Sequence, residues 1–368
     1  MFETYKSRIN QKVMDNYADA LLSIDDLVGD GYSGLSPLFY VYNKRYLHWL
    51  DNDPDIAVSE KEILFRRKFY RVLQKIGPGA MKCTQVYESR RFLDDSTTDE
   101  KDTPVALPEK PVIFVANHGF HDDCLSTVLA AGRHIYFVWG SLPVLYNTID
   151  GLASSFVGGV CVNRKSKTSR HASIAKALKA MEYGADLLIF PEGGWNKTSE
   201  RLLLDYWKGV YTLSKAAECD VVPIVHYVRD MEVLDKKNLI HTVVDDPIPL
   251  YTMPQDEALQ YLRDLMASWL WKMAEQYGQS ARDVEMQGYS NSRERWEAHL
   301  KERMKGVSRY DSEVEKNSEY RPKTVIRAED VFRPIANIQN ISAQNIKSVL
   351  HAKELVKTIE ESDWQKLF

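Results

Sequence analysis

Pro111-Val-Ile-Phe-Val-Ala-Asn117-His118-Gly119-Phe-His-Asp-Asp123-Cys-Leu-Ser126 reads as a short apolar strand, a turn containing glycine, and the first turn of a helix. A strand-to-helix junction of this kind sets polar side chains at the carboxyl end of a strand, which is where open α/β sheets bind ligands. The polar residues here are a histidine in the turn and a carboxylate in the first helical turn, spaced His-x4-Asp. Such a pair can meet through a hydrogen bond. With one imidazole nitrogen held by Asp123, the other becomes an acceptor, the tautomer that a general base requires.

Outward from this junction the same grammar repeats. Short β-rich runs at Val112-Ala116, Ile135-Trp139, Gly159-Val162, Asp186-Phe190, Val221-Val225 and Thr242-Val244 alternate with helical patterns. Alternation of this type is the appearance of a sheet built from crossover units. Ser173-Tyr183 places Ile174, Ala175, Leu178 and Met181 at helical spacing before Gly184, a natural C-terminal stop. Asp256-Tyr277 lays Leu259, Leu262, Met266, Trp269, Leu270 and Met273 along one face and closes the domain. The expected fold is therefore α/β, with a mixed, largely parallel central sheet flanked by helices and with helical additions at both ends. Boundaries are expected at 1–104 for a helical, aromatic and basic N-terminal region, 105–277 for the α/β domain, and 278–368 for a polar, mainly helical C-terminal extension with no assignable chemistry.

Composition narrows the partners. The chain has 368 residues, 44% of them hydrophobic and 27% charged, and a net charge of -4, so no global attraction to nucleic acid or to an anionic membrane exists. The first residues carry charges throughout and lack the apolar core and cleavage site of a secretory signal, and no run of about 18 apolar residues occurs. A cytoplasmic protein is expected. Cys83, Cys124, Cys161 and Cys219 are widely spaced and suggest neither a disulfide framework nor a zinc cage. Positive charge is instead local: Ser59-Phe92 holds nine basic residues against three acidic ones. With Phe65, Phe69 and Tyr70 interleaved there, and with the earlier aromatic stretch Pro37-Leu50, two outcomes are open. The aromatics pack into the core with the charges in water, or they form a surface that touches a membrane from one side.

Other chemistries match poorly. His118, His121, Asp122 and Asp123 form a short cluster, but His-x2-His-Asp-Asp corresponds to no common zinc-hydrolase spacing. A serine hydrolase lacks its Gly-x-Ser-x-Gly elbow.

Three further blocks follow the His-x4-Asp junction in order. Val157-Gly-Gly-Val-Cys-Val-Asn-Arg164-Lys165 leads with glycine into a strand and delivers an arginine. Leu188-Ile-Phe-Pro-Glu192-Gly193-Gly194 is a strand followed by a tight turn, and Val221-Val-Pro223-Ile-Val225 is a further apolar segment. Together with the junction these blocks resemble the glycerol-3-phosphate and lysophosphatidate (1-acylglycerol-3-phosphate) acyltransferase family, over about Val105 to Leu250. The resemblance implies the glycerolipid acyltransferase fold and a transfer in which His118, oriented by Asp123, deprotonates an acceptor hydroxyl that attacks an acyl thioester. It implies no acyl-enzyme, no metal and no cofactor, with acyl-coenzyme A or acyl carrier protein as co-substrate and a lipid acceptor at the inner face of a membrane.

By the same resemblance Arg164 binds the acceptor's phosphate, since its planar fork donates two charge-assisted bonds to one phosphate. Glu192 accepts from acceptor hydroxyls or holds the turn, Gly193 and Gly194 shape that turn, and backbone amides near the His-x4-Asp junction are expected to stabilise the oxyanion. One position departs from the family: Trp195 stands where many relatives carry arginine, with Lys208 a nearby alternative source of charge. That departure keeps open an acceptor without phosphate, such as an amino-acid-derived lipid. A lipid-binding protein of the same fold without turnover is the remaining alternative.

Overall fold

The computed structural model describes residues 60–84, 88–92, 105–119, 123–140, 156–162, 167–194, 196, 202–231 and 237–277, with isolated positions at 336, 350 and 353. Expectations on residues 1–59, on Arg164 and Trp195, and on nearly all of the C-terminal extension lie outside the described residues.

Among the described residues seven strands form one sheet. In chain order they are β1 (Glu88–Phe92), β2 (Ile113–Ala116), β3 (Ile135–Trp139), β4 (Gly159–Cys161), β5 (Asp186–Ile189), β6 (Val221–Met231) and β7 (Lys237–Val244), and their spatial order is β1-β7-β6-β2-β5-β3-β4. Every pairing is parallel except β6 with β7. Among the described residues five α-helices flank the sheet: α1 (Glu60–Thr84), α2 (Asp123–Ala131), α3 (Lys167–Glu182), α4 (Gly209–Ala217) and α5 (Gln255–Tyr277).

The central strand explains the layering. Successive side chains of a strand face opposite ways, so a strand covered on both sides must be apolar at every position. Ile113 and Val115 of β2 pack toward α3, α4 and α5 with Met181, Val210, Leu213, Leu262 and Met266. Phe114 and Ala116 pack toward the other layer with Tyr70 of α1 and Val128 and Ala131 of α2. All four β2 residues are fully buried.

The N-terminal region needs correcting. The expectation for it is a helical region, yet Glu88–Phe92 adds an edge strand parallel to β7. The segment is Glu-Ser-Arg-Arg-Phe, and such polar composition suits an exposed sheet edge rather than a buried run, so no apolar signal betrayed it. Helix α1 also belongs to the core: Ile63 and Tyr70 are buried, and Tyr70 Oη donates to Val128 O at 2.9 Å.

One glycine before β4 is under direct steric control. Gly158 has φ +117, and a Cβ there would lie 2.4 Å from the ring of Tyr136, which is fully buried and cannot withdraw. Gly158→Ala is expected to destabilise the protein by about 3 kcal/mol through backbone strain and overpacking. Urea unfolding checks this, and an unchanged midpoint would contradict it.

Candidate active site

Strands β2 and β5 are neighbours and parallel, with Val115 opposite Ile189. Their carboxyl ends therefore release the chain on one rim, where residues 117–119 meet residues 190–194. His118 Nδ1 lies 2.6 Å from Asp123 Oδ2. Asp123 is the first residue of α2 and only 1% exposed, and a carboxylate there is favoured by the unpaired amides and dipole of the helix start. A carboxylate accepts hydrogen bonds only, so Nδ1 carries the proton and Nε2 is left as an acceptor. The imidazole stacks on Phe190 at a centroid distance of 4.4 Å, and with 21% of its side chain exposed it is open to a substrate. The paired geometry of His118 and Asp123 is thus in place.

Glu192 ties the two chain segments together. It is 1% exposed; Oε1 accepts from the backbone N–H of His118 at 2.9 Å and Oε2 from that of Leu204 at 2.8 Å. His118 O in turn accepts from Asn196 N–H at 2.9 Å, so both backbone groups of the histidine are clamped by the 190–196 segment. The turn itself is closed by Gly193 N–H on Phe190 O at 3.0 Å, with Gly193 at φ +68, a conformation that favours glycine. Gly194 follows, half-buried.

The expected oxyanion donors are partly committed elsewhere. His118 N–H is bound to Glu192, and Gly119 N–H reaches Asp123 Oδ2 at 3.2 Å. Those two amides serve the histidine's own placement. Lys208 stands exposed immediately before α4, next to Trp207, whose N–H donates to Pro191 O at 2.9 Å. Its backbone is therefore close to the turn, while Arg164 is not among the described residues.

A buried polar network beneath the pair was missed by the sequence analysis. Asn117 exchanges two bonds with the backbone of His226, its Nδ2 donating to His226 O at 2.9 Å and its Oδ1 accepting from His226 N–H at 2.7 Å. The side chain thereby continues the pairing of β2 with β6 past the end of β2. His226 Nε2 is 2.9 Å from Thr127 Oγ1, Nδ1 is 2.9 Å from Thr242 Oγ1, and Thr127 Oγ1 donates to Asp123 O at 2.7 Å. Polar residues interrupting apolar strands, Asn117 after β2 and His226 within β6, were the available signal.

This network has a pH signature. Burial pushes His226 down to about 4, against the pull of Asp123, and burial likewise pushes His134 down to about 4. Between about pH 6.5 and 4 the unfolded chain binds protons that these imidazoles refuse, so stability falls as pH falls, by roughly 3 kcal/mol per histidine. Asp186 acts oppositely: burial raises it to about 6, so its folded carboxyl takes a proton before the unfolded one does and stability is regained as pH falls below 6. The histidines outnumber it, and a net loss of urea stability from pH 7 to 4.5 is expected. His226→Gln should flatten that dependence; an equally steep profile would contradict the assignment.

Comparison with known proteins places this rim in context. The Acyltransferase family model matches residues 96–227. A 1-acyl-sn-glycerol-3-phosphate acyltransferase of Chlamydomonas reinhardtii is 29% identical over 117 residues, 32% of this chain and 34% of that protein, so the chain spans about a third of that relative's length. The crystal structure of the 1-acyl-sn-glycerophosphate acyltransferase of Thermotoga maritima is similar with a TM-score of 0.41 and 14% identity, covering 65% of this chain and 96% of that one.

Proposed function

We propose that this chain, whose residues 96–227 belong to the acyltransferase family, transfers a fatty acyl group from an acyl thioester to a hydroxyl of a glycerophosphate or lysophospholipid acceptor. The observation that carries the proposal is the 2.6 Å pairing of His118 with a buried Asp123 on an open sheet rim. His118 Nε2 takes the proton of the acceptor hydroxyl as its oxygen bonds to the thioester carbonyl carbon. Collapse of the tetrahedral intermediate breaks the carbon–sulfur bond, and the imidazolium returns the proton to the departing thiolate. Asp123 stabilises the imidazolium between the two steps. Arg164 is proposed to hold the acceptor's phosphate, with Lys208 adding charge, and acyl-coenzyme A or acyl carrier protein is the proposed donor.

Helix α1 supports a peripheral position at a membrane. Among the described residues no helix is long and apolar enough to cross one. On α1, however, Leu64, Phe65, Val72 and Ile76 are each at least half exposed. Lys61, Lys68 and Lys75 stand exposed among them, a mixture suited to lipid chains and anionic headgroups. Tyr70 of the same helix goes to the core, so the aromatics divide between the two expected outcomes.

Trp195, in place of the family's arginine, favours a second acceptor class without phosphate, such as an amino-acid-derived lipid. A radiolabelled donor assay, using acyl-coenzyme A and acyl carrier protein with phosphate-bearing and phosphate-free acceptors, tests both. Transfer to lysophosphatidate or glycerol 3-phosphate is the expected result. Transfer confined to phosphate-free acceptors overturns the first reading in favour of the second, and lipid binding without His118-dependent turnover overturns both.

A further inference from the structure

A cavity of about 290 Å³ opens on the rim opposite His118. The topology fixes that position: Arg133 and His134 precede β3 and Asp186 begins β5, whereas His118 and Phe190 follow the ends of β2 and β5. Arg67 and Arg71, four residues apart on α1, line the cavity together with Arg133 and Asp186.

The charges there do not balance. Arg133 is fully employed: Nε on Asp186 Oδ2 at 2.8 Å, Nη2 on Asp186 Oδ1 at 2.9 Å, and Nη1 on Pro108 O at 2.6 Å. Asp186, the one carboxylate among the described lining residues, is engaged by that pair and by Val112 N–H at 2.8 Å. Arg67 places only Nη2 on a backbone oxygen, that of Gly184, at 3.1 Å. Arg71 makes no hydrogen bond or ion pair among the described residues. Capping of carbonyls accounts for Arg67 and Arg133 but gives Arg71 no task. Among the described lining residues Asp186 is the one counter-charge near Arg67, and Arg133 already pairs with it, so Arg67 and Arg71 leave an excess of positive charge that an anion in the cavity offsets.

We infer that this cavity is a second binding site, separate from the acyl-transfer rim, for a phosphate monoester group held in the forks of Arg67 and Arg71. Arginine suits the task because each fork can engage two phosphate oxygens at once. The volume leaves room for a small polar group attached to the phosphate. Two sources share this chemistry, a free phosphomonoester and a phospholipid headgroup. Leu64, 50% exposed, lies three and seven residues before the two arginines on the same stripe of α1, so a headgroup in the cavity would leave its chains beside an apolar surface.

The test uses the full chain carrying Arg164→Gln, which removes the phosphate ligand proposed for the other rim. Calorimetry with inorganic phosphate and with glycerol 3-phosphate is expected to find one remaining site. Arg71→Gln should weaken it at least tenfold and Arg71→Lys by less. Because Arg71 has no partner among the described residues to lose, thermal unfolding should be unchanged, which separates lost binding from lost fold.

Flotation with phosphatidylcholine vesicles, with and without phosphatidic acid, then distinguishes the sources, with Lys215→Gln, an exposed lysine on α4, as a control for bulk charge outside the cavity. A loss of phosphatidic-acid-dependent flotation in Arg71→Gln but not in Lys215→Gln identifies the headgroup. Weakened soluble binding without that difference identifies the free ester. Soluble phosphate binding unaffected by Arg71→Gln, with vesicle binding no different from that of Lys215→Gln, overturns the site and leaves the acyl-transfer proposal untouched.

Discussion

Alanine at position 118 is expected to lower kcat/KM for acyl transfer by about 10² to 10⁴-fold, the range that loss of a positioned general base produces. The side chain supplies the only group placed to accept the hydroxyl proton at this rim among the described residues, while its backbone bonds to Glu192 and Asn196 survive the substitution. Asp123, nearly inaccessible to water, would lose the imidazole and keep Gly119 N–H, a stability cost of about 1–3 kcal/mol. His118→Asn retains a donor toward Asp123 and should be equally inactive but more stable. Thioester-dependent thiol release, followed with both variants beside their melting temperatures, separates chemistry from folding. Turnover within tenfold of the unmodified protein in either variant would remove His118 from the mechanism.

Glu192→Ala is expected to cost about 3–5 kcal/mol, the larger stability effect of any single substitution near the rim. The reason is its bonding: one buried carboxylate satisfies two backbone donors from separate chain segments, the N–H groups of His118 and Leu204, and its removal orphans both. His118 would then lose the clamp that fixes its backbone, so activity should fall as well. Glu192→Gln keeps one acceptor and turns an N–H₂ against the second amide, which places it between the two. These variants also divide the two roles considered for Glu192. A turn-holding carboxylate produces a fall in unfolding free energy together with kcat, whereas one that receives acceptor hydroxyls produces a raised KM with the urea midpoint unmoved.

What the sequence made legible follows the range of the interactions. β2, β3 and β5 stood out because strands covered on both faces are apolar at successive positions, as Ile113–Ala116 is throughout and Asp186–Ile189 is after its first residue. β6 and β7 were read short, at Val221-Val225 and Thr242-Val244, because they run out to Met231 and from Lys237 through polar residues such as Arg229, Asp230 and Asn238. Helix α3 begins at Lys167 rather than Ser173 for the same reason, its first turn being polar. In the site, His118 and Asp123 were found because only four residues lie between them and one turn joins them. Glu192 is 74 residues from its partner at His118, and Asn117 is 109 from His226. Contacts at such separations are made by the parallel sheet and leave no local pattern, so the bonding of Glu192 to backbone amides and the role of His226 had to come from the fold.

The measurement that bears most directly on the central claim is the rate of acyl transfer by Asp123→Asn. The asparagine occupies the same volume but presents an N–H₂ to Nδ1, which drives the imidazole proton to Nε2 and leaves the reacting nitrogen unable to accept a proton. A folded variant with transfer reduced by at least about 10²-fold is the predicted result. Transfer within twofold of the unmodified protein, with the same melting temperature, would mean that the buried carboxylate does not set the tautomer of His118 and that the acyl-transfer mechanism drawn through this pair is wrong.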